Sequence, residues 1–120
     1  MRALVVDDSS AMRALLRMAL KRQGFEVSEA KHGLDALSVL AASGDFDLIL
    51  IDWNMPEMDG FELLRRIRAE PRRDRTQIMM VTTETGMAQI SEALSAGAND
   101  YIMKPFTFEV VTDKVRLLGL

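Results

Sequence analysis

Residues 48–51 read Leu-Ile-Leu-Ile, and the residue that follows them is Asp52. An apolar run with no polar alternation suits a strand buried on both faces, as inside a parallel sheet. Pro56 and Gly60 bracket the polar turn beyond it, and a helical pattern resumes at Phe61. A strand that delivers one carboxylate to its C-terminal end puts that carboxylate where open α/β sheets bind ligands. Taken alone, Asp52 reads more readily as a simple cap on the strand.

Three other short apolar runs end on polar groups. Ala3-Leu4-Val5-Val6 ends in Asp7-Asp8, Ile78-Met79-Met80-Val81 in Thr82-Thr83 and then Glu84, and Tyr101-Ile102-Met103 in Lys104-Pro105. Phe25 to Glu29 alternates apolar and polar residues and predicts a more exposed strand. Between the strands, apolar residues recur at helical spacing. The first such set is Met12, Leu15, Leu16 and Ala19, capped by Ser9 or Ser10 and stopped by Gly24. The second is Leu34, Leu37, Leu40 and Ala41, ended by Ser43-Gly44. Phe61, Leu64 and Ile67 mark a third helix closed by Pro71, and Ile90, Ala93 and Leu94 a fourth stopped near Gly97. Phe108, Val111, Val115 and Leu118 mark the fifth. Strand and helix alternate five times, which implies right-handed crossovers and a parallel sheet covered on both faces. The expected fold is one doubly wound (βα)5 α/β sandwich occupying residues 1–120.

A chain of 120 residues supports one ordinary core. Its formal charge of −3 gives no support to nucleic acid or an anionic membrane as the main partner. Without cysteine there is no disulfide framework, thiolate metal site or thiol nucleophile, which fits a reducing compartment. No apolar run reaches membrane-spanning length, and Met1-Arg2-Ala3-Leu4 leads into a strand rather than a signal peptide. A soluble cytoplasmic protein is expected. Arg65, Arg66, Arg68, Arg72, Arg73 and Arg75 form a basic cluster, read as a solvated face. His32 has no ligand partner nearby in sequence and is assigned to the surface. Met79 and Met80 are assigned to packing, and Trp53 should report on the site around Asp52.

In a parallel sheet the C-terminal strand ends share one edge, so Asp7, Asp8, Asp52, Thr82 and Lys104 can meet there. Two carboxylates about 4 Å apart repel by roughly 4 kcal/mol at a near-surface dielectric, and three together need a cation. A hard divalent ion such as Mg²⁺ takes oxygen ligands and also accepts phosphate oxygens. A lysine and a threonine hydroxyl suit an incoming anion. The set is built for a phosphoryl group, with Asp52 as its acceptor.

With these residues in view, the chain resembles the receiver domains of two-component signalling, and among them the CheY-like, single-domain chemotaxis response regulators. The matching residues are Asp7-Asp8, Asp52-Trp53-Asn54-Met55-Pro56 with Met58-Asp59-Gly60, Thr82, and Lys104-Pro105-Phe106. Ala96-Gly97-Ala98 and Tyr101 join them, so the likeness covers essentially the whole chain. It implies a flavodoxin-like fold with strand order 2-1-3-4-5, an order taken from the resemblance and not from periodicity. It also implies a phosphorylation-activated signalling switch that catalyses only its own phosphorylation and dephosphorylation. Asp52 would accept phosphoryl from a sensor histidine kinase's phosphohistidine. Asp7, Asp8, Asp52 and the Asn54 carbonyl would hold Mg²⁺. Lys104 would contact the phosphoryl oxygens, Thr82 and Tyr101 would move with the group, and Asn54 and Glu84 would tune hydrolysis. The Lys104–Pro105 bond would be cis. A downstream protein would bind the face of helix four, strand five and helix five, the protein acting as a monomer. Two departures stand out: Thr83 where the family favours a smaller residue, and Gly86-Met87-Ala88 without the lysines of the best-known chemotaxis members.

Two other readings use similar groups. A phosphohydrolase with an aspartyl-phosphate places a second acid two residues beyond the nucleophile, where this chain has Asn54. A flavin carrier needs a glycine- and hydroxyl-rich phosphate loop after the first strand, where Asp7-Asp8 would repel the phosphate. The switch accounts for more of the residues than either.

Overall fold

The computed structural model describes residues 1–83 and 87–120. Strands β1 (Arg2–Val6), β2 (Glu26–Ala30), β3 (Leu48–Asp52), β4 (Gln77–Thr82) and β5 (Asp100–Met103) form one sheet in the order β2-β1-β3-β4-β5. Each neighbouring pair is parallel. Helices α1 (Ser10–Arg22), α2 (Gly33–Ser43), α3 (Gly60–Arg68), α4 (Met87–Ser95) and α5 (Phe108–Leu117) alternate with the strands. A 3-10 turn, Pro71–Arg73, follows α3.

The unbroken apolar runs exist because successive residues feed two different cores. On one face Leu4, Val6, Ile49, Ile51, Ile78 and Met80 pack with Ala36 and Leu40 of α2, Leu63, Leu64 and Ile67 of α3, and Ala93 of α4. On the other, Ala3, Val5, Leu48, Leu50, Met79 and Val81 pack with Leu16, Ala19 and Leu20 of α1 and Val111 and Val115 of α5. Each Val, Leu, Ile or Met among them, fully buried, contributes about 1.5–3 kcal/mol of transfer free energy. β2 lies at the sheet edge and is the exposed strand that its alternation implies.

Side chains start four of the helices by taking up free backbone donors. Ser9 accepts the Met12 N–H at 3.2 Å, Asp59 that of Glu62 at 2.9 Å, and Thr107 that of Val110 at 3.2 Å. His32 is exposed, as expected, yet its Nδ1 accepts the Asp35 N–H at 3.1 Å and caps α2.

Several residues at helical spacing face solvent instead of the core. Leu15, Leu34 and Leu94 are 44%, 55% and 42% exposed, because the stripe of each helix that meets the sheet is narrower than the apolar pattern. The arginine cluster also divides. Arg65, Arg66, Arg72 and Arg75 are exposed, but Arg68 and Arg73 are not part of a solvated face. Arg68 donates to the carbonyls of Gly97 (2.9 Å), Arg73 (2.8 Å) and Thr76 (2.7 Å) and to Asn99 Oδ1 (3.0 Å). It thereby staples the end of α3 to the entry of β5. Burial lowers the Arg68 guanidinium from its ordinary pKa, opposed by Asp74. Arg73, only 4% exposed, donates to Leu40 O at 3.0 Å and Gly44 O at 3.4 Å, which closes the C-terminal end of α2.

Candidate functional site

Asp7 follows β1 and is held on three sides. Its N–H donates to Ala30 O at 3.1 Å, its Oδ1 accepts the Ser9 N–H at 2.8 Å, and its carbonyl accepts from Arg13 Nη1 at 2.7 Å. Arg13 is itself fixed by Glu29 at 3.1 Å. What remains is Oδ2, which is buried and has no hydrogen-bond partner. Asp52 closes β3, 4% exposed, and its Oδ1 accepts from Lys104 Nζ at 2.9 Å. The same ammonium stands 3.7 Å from Asp7 Oδ2, beyond hydrogen-bond range. Lys104 is brought there by β5, its N–H donating to Thr82 O at 2.8 Å. The Lys104–Pro105 bond is cis.

The loop after Asp52 is tightly folded. Trp53 N–H donates to Val81 O at 3.0 Å, and Gly60 N–H returns to Trp53 O at 2.8 Å. Gly60 approaches so closely that a Cβ there would overlap the Asp52 carbonyl oxygen and come 2.8 Å from Trp53 Cα. Trp53 is 9% exposed and stacks on Phe61, ring centroids 5.8 Å apart at 17°.

One oxygen from each of Asp7, Asp8 and Asp52 falls within 4.8 Å of the other two. Three carboxylates therefore face one ammonium among the described residues. Burial pushes the Asp7 carboxyl above its ordinary pKa; Asp52 and Asp8 add to the push, while the Ser9 N–H and Lys104 oppose it. An all-oxygen donor set with an unpartnered buried oxygen and an excess of negative charge fits Mg²⁺.

The other residues singled out by sequence lie on or beside β3, β4 and β5, apart from one outside the described residues. Thr82 is fully buried at the end of β4, Asn54 is exposed in the loop after β3, and Thr83 is exposed beyond β4. Tyr101 is half-buried on β5 opposite Met80. Glu84 lies outside the described residues. Arg13 escaped the sequence reading, although one signal existed: it shares a helical face with the buried Leu16 and Leu20, and a charge on an apolar stripe implies an internal partner.

Comparison with known proteins finds matches along nearly the whole chain. The family profile described as "Response regulator receiver domain" matches residues 3–116. The chain is 46% identical over 119 residues to chemotaxis protein CheY1 of Helicobacter pylori, covering 98% of this chain and 96% of that protein. It is 47% identical over 116 residues to the chemotaxis protein CheY homolog of Campylobacter jejuni, covering 96% and 89%. The solved structure of chemotaxis response regulator CheY4 of Vibrio cholerae superimposes with a TM-score of 0.90 at 35% identity, covering 98% of this chain and 97% of that one.

Proposed function

This chain belongs to the response regulator receiver domain family, whose members are phosphorylation-dependent signalling switches of chemotaxis and two-component pathways, and from that premise we propose that Asp52 is its phosphoacceptor. The observation that carries the reading is the buried Asp52 carboxylate, bound by Lys104 at 2.9 Å beside an Asp7 oxygen with no hydrogen bond. Receiver domains take phosphoryl groups from histidine kinases and bind downstream proteins. Here a carboxylate oxygen of Asp52 attacks the phosphorus of a phosphohistidine, the O–P bond forms as the P–N bond breaks, and the imidazole leaves with the electron pair. Asp7, Asp8, Asp52 and the Asn54 carbonyl are the ligands read for Mg²⁺, which would neutralise carboxylate charge and accept phosphoryl oxygens. Lys104 turns from Asp52 toward the transferred group. Asn54, exposed beside the site, and Glu84 govern the approach of hydrolytic water. Residues 1–120 are read as one receiver unit, monomeric, with no output domain within them. Among the described residues no helix is long and apolar enough to cross a membrane.

Removing one ligand tests the metal assignment. Asp8→Ala should weaken Mg²⁺ binding by at least about tenfold, followed through Trp53 fluorescence; unchanged affinity would refute the ligand set. Mg²⁺ affinity of the parent should fall as pH drops through the raised Asp7 value, because the proton competes for the carboxylate. The metal-free fold has the opposite trend. Its Asp7 pKa lies above the unfolded value, so this group's contribution to stability is lost as pH rises from the unfolded through the folded value.

Phosphorylation adds about −1.5 to −2 charge and new acceptor oxygens. Thr82 and Lys104 end adjacent strands, so they are the groups that turn toward it, and Tyr101 follows Thr82 inward. The face of α4, β5 and α5 then presents a different shape to its target. Thr82→Ala should still take up phosphoryl at Asp52 but transmit it poorly. Amide-exchange maps with and without beryllofluoride, a phosphoryl mimic, should show little change from residue 86 to 106 in that variant. A response as full as the parent's would exclude the Thr82–Tyr101 coupling.

A further inference from the structure

Asp100 opens β5, Lys114 lies on α5, and Lys114 Nζ donates to Asp100 Oδ1 at 2.9 Å. The same oxygen accepts the N–H of Tyr101 at 2.8 Å. Lys114 Nζ also stands 4.6 Å from the centroid of the Tyr101 ring. The two charged side chains are only 27% and 22% exposed, so the contact is partly withdrawn from water. One carboxylate oxygen thus ties the backbone of Tyr101 to an ammonium lying over that residue's own ring. Nothing in the proposed phosphoryl chemistry uses either group.

We propose that Asp100 and Lys114 are positioning residues that hold the half-buried Tyr101 ring in its present position and so set the threshold at which the switch tips. The inference rests on the reading of Tyr101 as a switch residue. If the ring moves toward Thr82, Lys114 cannot follow it without leaving Asp100, because the carboxylate is fixed to the Tyr101 N–H. Moving the ring therefore gives up either the cation–π contact or the ion pair. Both stabilise the present position, and a ligand that favours the inward ring must overcome them. By reciprocity, removing the clip strengthens the binding of that ligand.

Lys114→Met keeps an apolar stem and removes the charge, while Asp100→Asn keeps an acceptor for the Tyr101 N–H and removes the ion pair. With Mg²⁺ present, Lys114→Met should bind beryllofluoride more tightly by about three- to tenfold, the size of a partly desolvated cation–π contact plus an ion pair. Asp100→Asn should have a smaller effect in the same direction. The direction is diagnostic, since loss of a cation would by long-range electrostatics weaken binding of an anion. In a Tyr101→Leu background the Lys114→Met gain should vanish. Unchanged or weaker binding in Lys114→Met, or a gain that persists without Tyr101, overturns the proposal. If Thr82→Ala silences the face while Lys114→Met is neutral, only the clip is refuted. If Thr82→Ala responds as the parent does, the switch reading fails and the clip fails with it.

Discussion

Asp52→Asn incubated with acetyl phosphate and Mg²⁺ should carry no phosphoryl adduct, where the parent carries one. The substitution is nearly isosteric, so Lys104 keeps an oxygen to bond, and the buried site loses one of its three like charges. The fold should therefore persist and the chemistry should not, because an amide oxygen is a far poorer nucleophile than a carboxylate. Intact mass reads both chains directly. An adduct of equal yield in the variant would move the acceptor to another carboxylate. Rapid phosphate release from many unrelated esters by the parent would favour the hydrolase reading instead, against the exposed Asn54 at the position where such an enzyme needs its second acid.

Gly60→Ala should lower stability by about 3 kcal/mol or more, at the upper end of overpacking costs. The atoms that a new Cβ would strike are the Asp52 carbonyl and Trp53 Cα, which are backbone and cannot rotate aside. The damage should reach function as well, since the displaced residue is Asp52 itself: Mg²⁺ affinity should fall along with the urea midpoint. Gly24→Ala is the matched control. There a Cβ would meet nothing within 4 Å, and the strain comes only from φ +90°, so a cost of about 1 kcal/mol with unchanged Mg²⁺ affinity is expected. Equal effects of the two substitutions would mean that the close approach at Gly60 does not shape the site. Stability must be compared at one Mg²⁺ concentration, because a ligand that binds only the folded chain raises it.

Much of the architecture could be read from the residues because strands buried on both faces leave an unambiguous trace. Leu48 to Ile51 alternates between two cores, so all four residues are apolar, and a short run of that kind ending at a turn suits a strand covered on both faces. The meeting of Asp7, Asp8, Asp52 and Lys104 follows once the sheet is parallel, since all its strands end on one edge, and Thr82 ends the strand between. Strand order was a different matter. Periodicity says which residues are buried but not which strand lies beside which, and the order 2-1-3-4-5 came from the family resemblance. The arginines were misread for a related reason. The acceptors of Arg68 and Arg73 are mainly main-chain carbonyls, such as Gly97 and Leu40, 29 and 33 residues away. A carbonyl has no signature in the sequence. The cap formed by His32 was missed because histidine is an uncommon residue in that role.

The two separate cores have a consequence for how a partner reads this molecule. α4 rests on one core through Ala93, and α5 rests on the other through Val111 and Val115. Between them runs β5, the edge strand, in which Tyr101 packs toward the first core and Ile102 toward the second. A protein that spans α4 and α5 would therefore straddle two layers that rest on different cores. If one layer slid against the other, such a protein would meet altered contacts on both helices at once. Such a slide would alter the spacing between the helices without either helix deforming.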